Sequence, residues 1–246
     1  MNKLLFSLCI LFISNAVVAQ KQFYELREYT MKFGDASTLH TYLETALIPT
    51  LNGMGVEDIG VFEEVADALP KKIYLFIPYR DMASYSDIKE ALSKDQVFSD
   101  KAKAYSTTDP TAFPVKRITT SFMTAFEGIS KLIKPAAGSQ LFELRIYEAY
   151  NEDALARKVD MFNSSELDIF KDVGLHSVFF GQNISGPQMP CLTYLLGFKD
   201  MEERDANWAK FGPHPEWQRI SKLPEYANTV SDITRVFLKP VSYSQL

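Results

Sequence analysis

The feature that most constrains this chain is a six-residue pattern that occurs twice. Segment 24–29 reads YELREY, and segment 142–147 reads FELRIY. The shared Glu25 and Glu143 are 118 residues apart (143 − 25 = 118), and Arg27 and Arg145 have the same separation. Apolar and polar residues alternate in both copies, as in a strand with two different faces. We therefore expect two homologous halves, each opening with a strand that carries Glu, Arg and Tyr on one face.

The elements that follow each opening strand also repeat. Asp81-Met82 begins a helical pattern in the first half, and Asp200-Met201 does the same in the second. Apolar spacing predicts the order strand, helix, strand, strand, helix, strand in both halves. The predicted strands cover 22–31, 56–65, 73–79 and 116–126, then 140–149, 175–183, 191–198 and 231–239.

A βαββαβ order is that of the ferredoxin-like fold, an antiparallel sheet with both helices on one face. We predict an α+β protein of two such tandem units, 22–127 and 140–240, joined by a linker at 128–139. The two sheets are expected to pack together as a pseudo-dimeric barrel with the helices outside. Leu26 and Leu144 are expected to face the helices, which would direct the Glu-Arg-Tyr faces into the barrel.

The N-terminus resembles a secretory leader. Lys3 precedes an apolar stretch at 4–13, and small residues end at Ala19. This pattern predicts a signal peptide at 1–19 that is cleaved before Gln20. No apolar stretch reaches the roughly 20 residues that a membrane-spanning helix needs. We expect a periplasmic or secreted protein without an integral membrane span.

Charge and cysteine content narrow the functional classes. The net charge is −5 and the sequence pI is near 5.3, without a basic run, which argues against nucleic acid as a partner. Removal of the leader leaves Cys191 as the remaining cysteine, so an internal disulfide and a cysteine-based metal cluster are excluded.

Several motifs together resemble the NIPSNAP family. They are the paired E-L-R-x-Y strands, the glycine after the first helix, Trp208-x-x-Phe211 and Pro215-Glu216-Trp217. The resemblance covers nearly the whole chain after the leader, although the first copy has Phe98 where the second has Trp217. It implies a dimeric α/β-barrel fold in tandem form. Association of two such barrels into a homodimer is a separate hypothesis, for which no stretch of the sequence specifies a surface. It implies no defined activity.

The polar faces of the two opening strands are the candidate site, and they have two interpretations. Each Glu-Arg pair is either a structural ion pair between the sheets or an orienting device for an arginine that binds an anionic or carbonyl-bearing small molecule. The tyrosines would then supply hydroxyl groups. The candidate ligand-binding residues are Glu25, Arg27, Tyr29, Glu143, Arg145 and Tyr147.

The histidines His40, His176 and His214 lack the spacing of a preformed metal site, so we predict no metal. His176 and His214 are secondary site candidates, since haem, an alternative to a cofactor-free site, needs only one histidine ligand. His214 occupies the position that Asp95 has in the first copy, which also favours a helix-capping role.

Two functional hypotheses remain open. One is a small-molecule-binding barrel, with cofactor-independent oxygenase-like chemistry by analogy of fold. The other is a non-catalytic interaction or structural module with a packed interior. Bulky residues on the last strands, Ile118 and Phe122 or Ile233 and Phe237, could fill that interior.

Overall fold

The structure is a computed structural model that describes residues 20–32, 35–66 and 69–246. The predicted leader at 1–19 lies outside the described residues. Among the described helices, none has both the length and the apolar character that a membrane crossing requires.

Both halves follow the predicted order of elements. The first half contains β1 (Phe23–Met31), α1 (Ser37–Tyr42), a π-helical turn (Leu43–Leu47), α2 (Ile48–Gly53), β2 (Gly60–Glu64), β3 (Lys72–Tyr79), α3 (Met82–Lys94), α4 (Gln96–Lys101), α5 (Lys103–Ser106) and β4 (Val115–Ala125). The second half contains β5 (Leu141–Glu148), α6 (Glu152–Met161), a π-helical turn (Phe162–Glu166), α7 (Leu167–Val173), β6 (Ser177–Ser185), β7 (Cys191–Phe198), α8 (Met201–Phe211), α9 (Pro215–Ile220), a 3₁₀ turn (Pro224–Tyr226) and β8 (Asp232–Pro240).

The strands form one closed barrel in the order β1-β3-β2-β8-β5-β7-β6-β4, and every described pairing is antiparallel. Each half contributes four neighbouring strands. The halves meet where β2 pairs with β8 and where β4 pairs with β6. This confirms the predicted barrel of two ferredoxin-like units with helices outside.

The barrel interior is filled by side chains from both halves. Phe76 stacks on Phe179 with ring centroids 4.3 Å apart, and Phe62 lies 4.9 Å from Phe142. An eight-stranded barrel has an interior just wide enough for side chains of this size. Leu26 and Leu144 belong to the same buried cluster, so both face the barrel interior.

The predicted facing of the opening strands was therefore wrong. Since Leu26 and Leu144 point inward, their neighbours Arg27 and Arg145 point outward, towards the helices. Phe122 and Phe237 also pack on the helix side, and Ile118 and Ile233 are exposed, so these four residues do not fill the barrel as expected. Met123, Val236 and Leu238 take that place.

The C-terminal segment returns to the first half. The backbone nitrogen of Val241 donates to the carbonyl of Val61, and that of Gln245 donates to the carbonyl of Ile59. The hydroxyl of Tyr243 lies 2.6 Å from Nδ1 of His40. The last strand of the second half and the segment after it thus join the two halves in addition to the barrel pairing.

Candidate functional site

In the first half, the Glu-Arg-Tyr face of β1 lies in the layer between sheet and helices. Nε of Arg27 donates to Oε1 of Glu25 at 2.6 Å, and Nη1 lies 3.4 Å from the Tyr29 hydroxyl. The hydroxyl of Tyr79 on β3 donates to the other Glu25 oxygen at 3.0 Å. Burial opposes the charge on Arg27, but Tyr29 and Glu25 outweigh it and raise the pKa of the guanidinium above its ordinary value. Glu25 therefore orients Arg27 as predicted.

Tyrosines surround Arg27 on the helix side. Tyr42 stacks on Tyr105 with centroids 4.2 Å apart, and Tyr85 on α3 packs edge-on against Tyr79 at 5.2 Å. Burial, followed by the nearby Tyr29, raises the pKa of Tyr42 to about 12. These phenols therefore stay protonated near neutral pH, as hydroxyl groups beside a planar cation.

Lys89 adds a second cation to this layer. It lies one helical turn after Tyr85 on α3, and the two residues share one face of that helix. Burial and the charge of Arg27 lower the pKa of Lys89, against the opposing effect of Glu25. Its ammonium makes no ion pair with any residue that the structure describes. Glu25, already bonded to Arg27 and Tyr79, is the carboxylate that offsets these two cations.

In the second half, the strand glutamate Glu143 is hydrogen-bonded by residues of a helix. Arg204 on α8 donates from Nε to one Glu143 oxygen at 2.8 Å and from Nη2 to the other at 3.0 Å. The indole of Trp208 also donates to Glu143, at 2.9 Å. Glu143 has no exposed surface, and charge-assisted bonds of this kind are needed to hold a buried carboxylate.

Arg145 keeps its predicted partner Glu143 only as a longer ion pair, without a hydrogen bond. Its Nε lies 3.4 Å from Glu143, in ion-pair range, but forms no hydrogen bond to any described atom. The guanidinium carbon instead lies 4.4 Å from the Trp208 ring centroid, and Nη1 lies 3.3 Å from the Tyr194 hydroxyl. Glu143 therefore does not hydrogen-bond Arg145 as Glu25 does Arg27, because Arg204 and Trp208 donate to its oxygens.

A second buried ion pair lies beside Tyr147 in this half. Nζ of Lys158 donates to Oε2 of Glu166 at 2.6 Å, across the π-helical turn, and the ammonium lies 4.6 Å from the Phe162 ring centroid. Burial raises the pKa of Glu166 above its ordinary value although Lys158 opposes this. The hydroxyl of Tyr194 donates to that of Tyr147 at 2.9 Å, and burial raises the pKa of Tyr147 to about 12.

The two halves thus share the same arrangement of strand and helix but carry different residues at two equivalent helix positions. Arg204 stands at the repeat position of Tyr85 (204 − 85 = 119), and Trp208 stands at that of Lys89 (208 − 89 = 119). In the second half both helix residues bind the strand glutamate. In the first half these positions hold the phenol of Tyr85 and the ammonium of Lys89, and Glu25 is bonded to Arg27 instead. Among the described residues, the ammonium of Lys89 in the first half thus has no bonded counter-charge, whereas the indole of Trp208 at that position in the second half is hydrogen-bonded.

The contacts described for the three histidines do not involve Arg27 or Arg145. His40 bridges Tyr243 and Glu63, and exposed His176 has Nε2 3.5 Å from Glu203. His214 takes the predicted cap position of α9, but its side chain makes no capping bond there, and its Nδ1 has no partner among the described atoms. The part of the chain that the structure describes contains no group of three or more His, Cys, Asp or Glu residues that could hold a metal.

Sequence reasoning missed the residues that helices and neighbouring strands bring to the arginines. They are Tyr42, Tyr79, Tyr85, Lys89, Lys158, Glu166, Tyr194, Arg204 and Trp208. One signal was present, since Arg204 and Trp208 are four residues apart on a predicted helix and so share a face. The repeat alignment would have shown that Tyr85 and Lys89 replace them.

Comparison with solved structures finds the same fold in several proteins. A candidate monooxygenase from Fusobacterium nucleatum aligns with 91% of this chain and 94% of its own at 11% identity, with a TM-score of 0.58. A candidate monooxygenase from Lactobacillus acidophilus gives 89% and 94% coverage, 12% identity and a TM-score of 0.56. An anthrone oxidase-like protein gives 91% and 93% coverage, 8% identity and a TM-score of 0.52. At these identities the likeness shows a common fold.

A search of curated proteins finds no match. The NIPSNAP family model matches residues 24–124 and again residues 142–245, so both halves carry the family pattern. The two matches together span most of the 246 residues. This protein belongs to the NIPSNAP family.

Proposed function

We propose that the first half of this protein binds a small molecule with a carboxylate or carbonyl group, between β1 and α3. Arg27 and Lys89 are the groups that hold its oxygens. Glu25 orients Arg27, and Tyr29 is a neighbouring hydroxyl donor. The observation that carries the proposal is the half-buried Lys89, on the same face of α3 as Tyr85 and without an ion pair in the described part of the chain. A desolvated cation of this kind is stabilised when an anion binds beside it.

The walls of the site favour an aromatic ligand. Tyr42 and Tyr105 form a stacked pair, and Tyr85 packs with Phe23 and Phe122. Aromatic walls with a few convergent polar groups are the common composition of small-molecule sites. A planar aromatic acid would satisfy both the rings and the cations.

The test uses benzoate as the anionic probe and acetophenone as the neutral carbonyl probe, followed by calorimetry. Arg27→Met should strongly weaken the binding of both probes, and Lys89→Gln should weaken the binding of benzoate alone. Arg117→Met is the control, since it removes an exposed arginine of β4 that is not part of the proposed site, and it should leave benzoate binding unchanged. Retention of full benzoate affinity by Arg27→Met would refute the proposal.

A second candidate is oxygenase-like chemistry on the bound molecule. It is favoured by the shared fold with proteins described as candidate monooxygenases and as anthrone oxidase-like. Lys89 also has a lowered pKa, which suits an amine that accepts a proton from a methylene carbon conjugated with a carbonyl that Arg27 holds. Dioxygen uptake in the presence of anthrone measures this activity, and Lys89→Gln should abolish it. Absence of uptake by the wild-type chain would leave binding as the function.

Other properties remain proposals with direct measurements. Export predicts a mature chain that begins at Gln20, which the intact mass of protein from its host would show. Native mass spectrometry of the same material would reveal a homodimer and any retained ligand. The absorption spectrum tests the haem alternative, since bound haem gives a Soret band. A non-catalytic structural role remains the alternative for the second half, where the strand glutamate is fully bonded.

A further inference from the structure

Arginines and aromatic rings alternate on the helix side of β5 and β8. The guanidinium of Arg145 lies 4.4 Å from the Trp208 ring, and that of Arg204 lies 5.7 Å from the same ring. Arg204 also lies 5.4 Å from the Phe237 ring, and Arg235 lies 5.3 Å from it. Three guanidinium groups are thus linked by two rings into one cationic series, which we call the arginine ladder.

The ladder has more positive than negative charge. Glu143 accepts two bonds from Arg204, and Asp205 accepts one from Nη1 of the same arginine. Arg235 is exposed and forms no ion pair with any other described residue. Two carboxylates therefore face three guanidinium groups, and the surplus charge belongs to the exposed end of the ladder.

The strand register places the surplus positive charge, that of Arg235, next to Arg145. Arg145 pairs directly with Arg235 across β5 and β8. Like charges at directly opposed positions destabilise an antiparallel pair. Nε of Arg145 is buried and lacks a hydrogen-bond partner among the described atoms, which adds a further cost. At the equivalent place in the first half, Arg27 pairs with Thr120, so this repulsion is particular to the second half.

We propose that a small oxyanion, the carboxylate or phosphate group of a ligand, binds between Arg145 and Arg235. Strand β2 pairs with β8 only from Leu238 to Pro240, so in the described structure Arg235 has no strand partner on that side. The guanidinium fork matches the geometry of carboxylate and phosphate oxygens, and an anion bridging the two arginines removes their repulsion. This site is separate from the one proposed between β1 and α3.

The experiment measures binding of inorganic phosphate and of acetate by calorimetry. All chains carry Lys89→Gln, which weakens anion binding at the first-half site to the same extent in every variant. Arg235→Gln should weaken binding at least about tenfold, because it removes one of two charge-assisted partners. Arg117→Gln is the control, since it removes the same charge from an exposed strand position in the first half and should leave the affinity unchanged.

Tighter binding of phosphate than of acetate would support the site with a phosphate group as its ligand, and the reverse order would support it with a carboxylate. Equal phosphate affinities of Arg235→Gln and Arg117→Gln would overturn the proposal. Failure of the Lys89→Gln parent to bind either anion would overturn it as well. Circular dichroism of both variants verifies that these exposed substitutions leave the fold intact.

Discussion

Arg204 holds Glu143 through two parallel hydrogen bonds, of 2.8 and 3.0 Å, from the helix to the strand of the second half. The strand residue has no exposed surface, so this contact neutralises a carboxylate that water cannot reach. The first half has Tyr85 at the same position, and there Glu25 turns to Arg27. One helix residue thus decides whether the strand arginine of each half is bonded to its glutamate.

Arg204→Met should strongly destabilise the protein. It keeps the apolar stem but leaves Glu143 buried with a single close donor from α8, and removing one member of a buried pair costs about 3–5 kcal/mol of unfolding free energy. Urea unfolding measures the loss. The control is Arg219→Met, which breaks the exposed pair with Glu216 and should change the stability little, because solvent screens such a pair. A similar small loss for both variants would contradict the structural role of Arg204.

Anion binding in the first half should depend on the protonation of Lys89. Burial and Arg27 lower its pKa below the ordinary 10.5, so benzoate affinity should fall as the pH rises towards 10.5, earlier than an exposed lysine would cause. Calorimetric titrations at increasing pH check this. Lys89→Gln should give a lower affinity without that decline. A decline of the same size in Lys89→Gln would assign it to another group.

The same shift predicts the effect of Lys89 on stability. Its folded-state pKa lies below its unfolded-state value, so the folded protein binds this proton less tightly. The resulting penalty is present in full below the folded pKa and disappears as the pH rises above 10.5. Lys89→Gln should therefore raise the melting temperature of the ligand-free protein at neutral pH. Unchanged or lower stability would indicate that Lys89 has a counter-ion.

The Lys158–Glu166 pair should behave as a coupled unit. Their side chains are 6% and 3% exposed, so Glu166→Gln alone strands a buried ammonium and should cost about 3–5 kcal/mol. The double variant Lys158→Met with Glu166→Met should recover most of that loss, because it removes both charges and keeps the volume. Urea unfolding of the single and double variants tests the coupling. Additive losses would show that the two residues contribute independently.

Gly174 ends α7 in the left-handed conformation, with φ of 78°. Gly174→Ala should cost at least about 1 kcal/mol, because L-residues are strained there and the new Cβ would lie 3.1 Å from the Asn207 amide. Gly53→Ala is the matched control at the end of α2, where a Cβ meets no atom within 4 Å. It should stabilise the protein by about 0.4–1 kcal/mol. Thermal unfolding of both variants makes the comparison, and equal effects would contradict it.

Periodicity was sufficient for most of the fold. Each predicted strand contains or overlaps an observed one, and the strand predicted at 191–198 coincides with β7 (Cys191–Phe198). The two helices also begin where expected, and Asp81 and Asp200 cap them, since each side chain accepts a bond from the backbone of the third residue after it. Helix caps and apolar periodicity are local signals in the sequence, and the tertiary contacts are consistent with them.

The opening strands were harder to interpret because both of their faces are buried. Tyr24 and Leu26 line the barrel, while Phe23, Tyr29 and Met31 pack under the helices. When a strand has two buried faces, alternation reports that the faces differ but not which side each one meets. The orientation of Arg27 and Arg145 could therefore be inverted without any conflict in the sequence pattern.

The sequence by itself determined the duplication, the βαββαβ order of each half and the tandem barrel, because these follow from repeated spacing along the chain. Only the tertiary structure decided where the Glu-Arg-Tyr faces lie and how the halves differ. A buried carboxylate needs hydrogen-bond donors, and these come from distant elements. Arg204 and Trp208 on α8 donate to Glu143. The equivalent residues of the first half, Tyr85 and Lys89 on α3, do not bond to Glu25, which accepts from Tyr79 instead. Such partners lie about 60 residues away along the chain and become neighbours through folding alone.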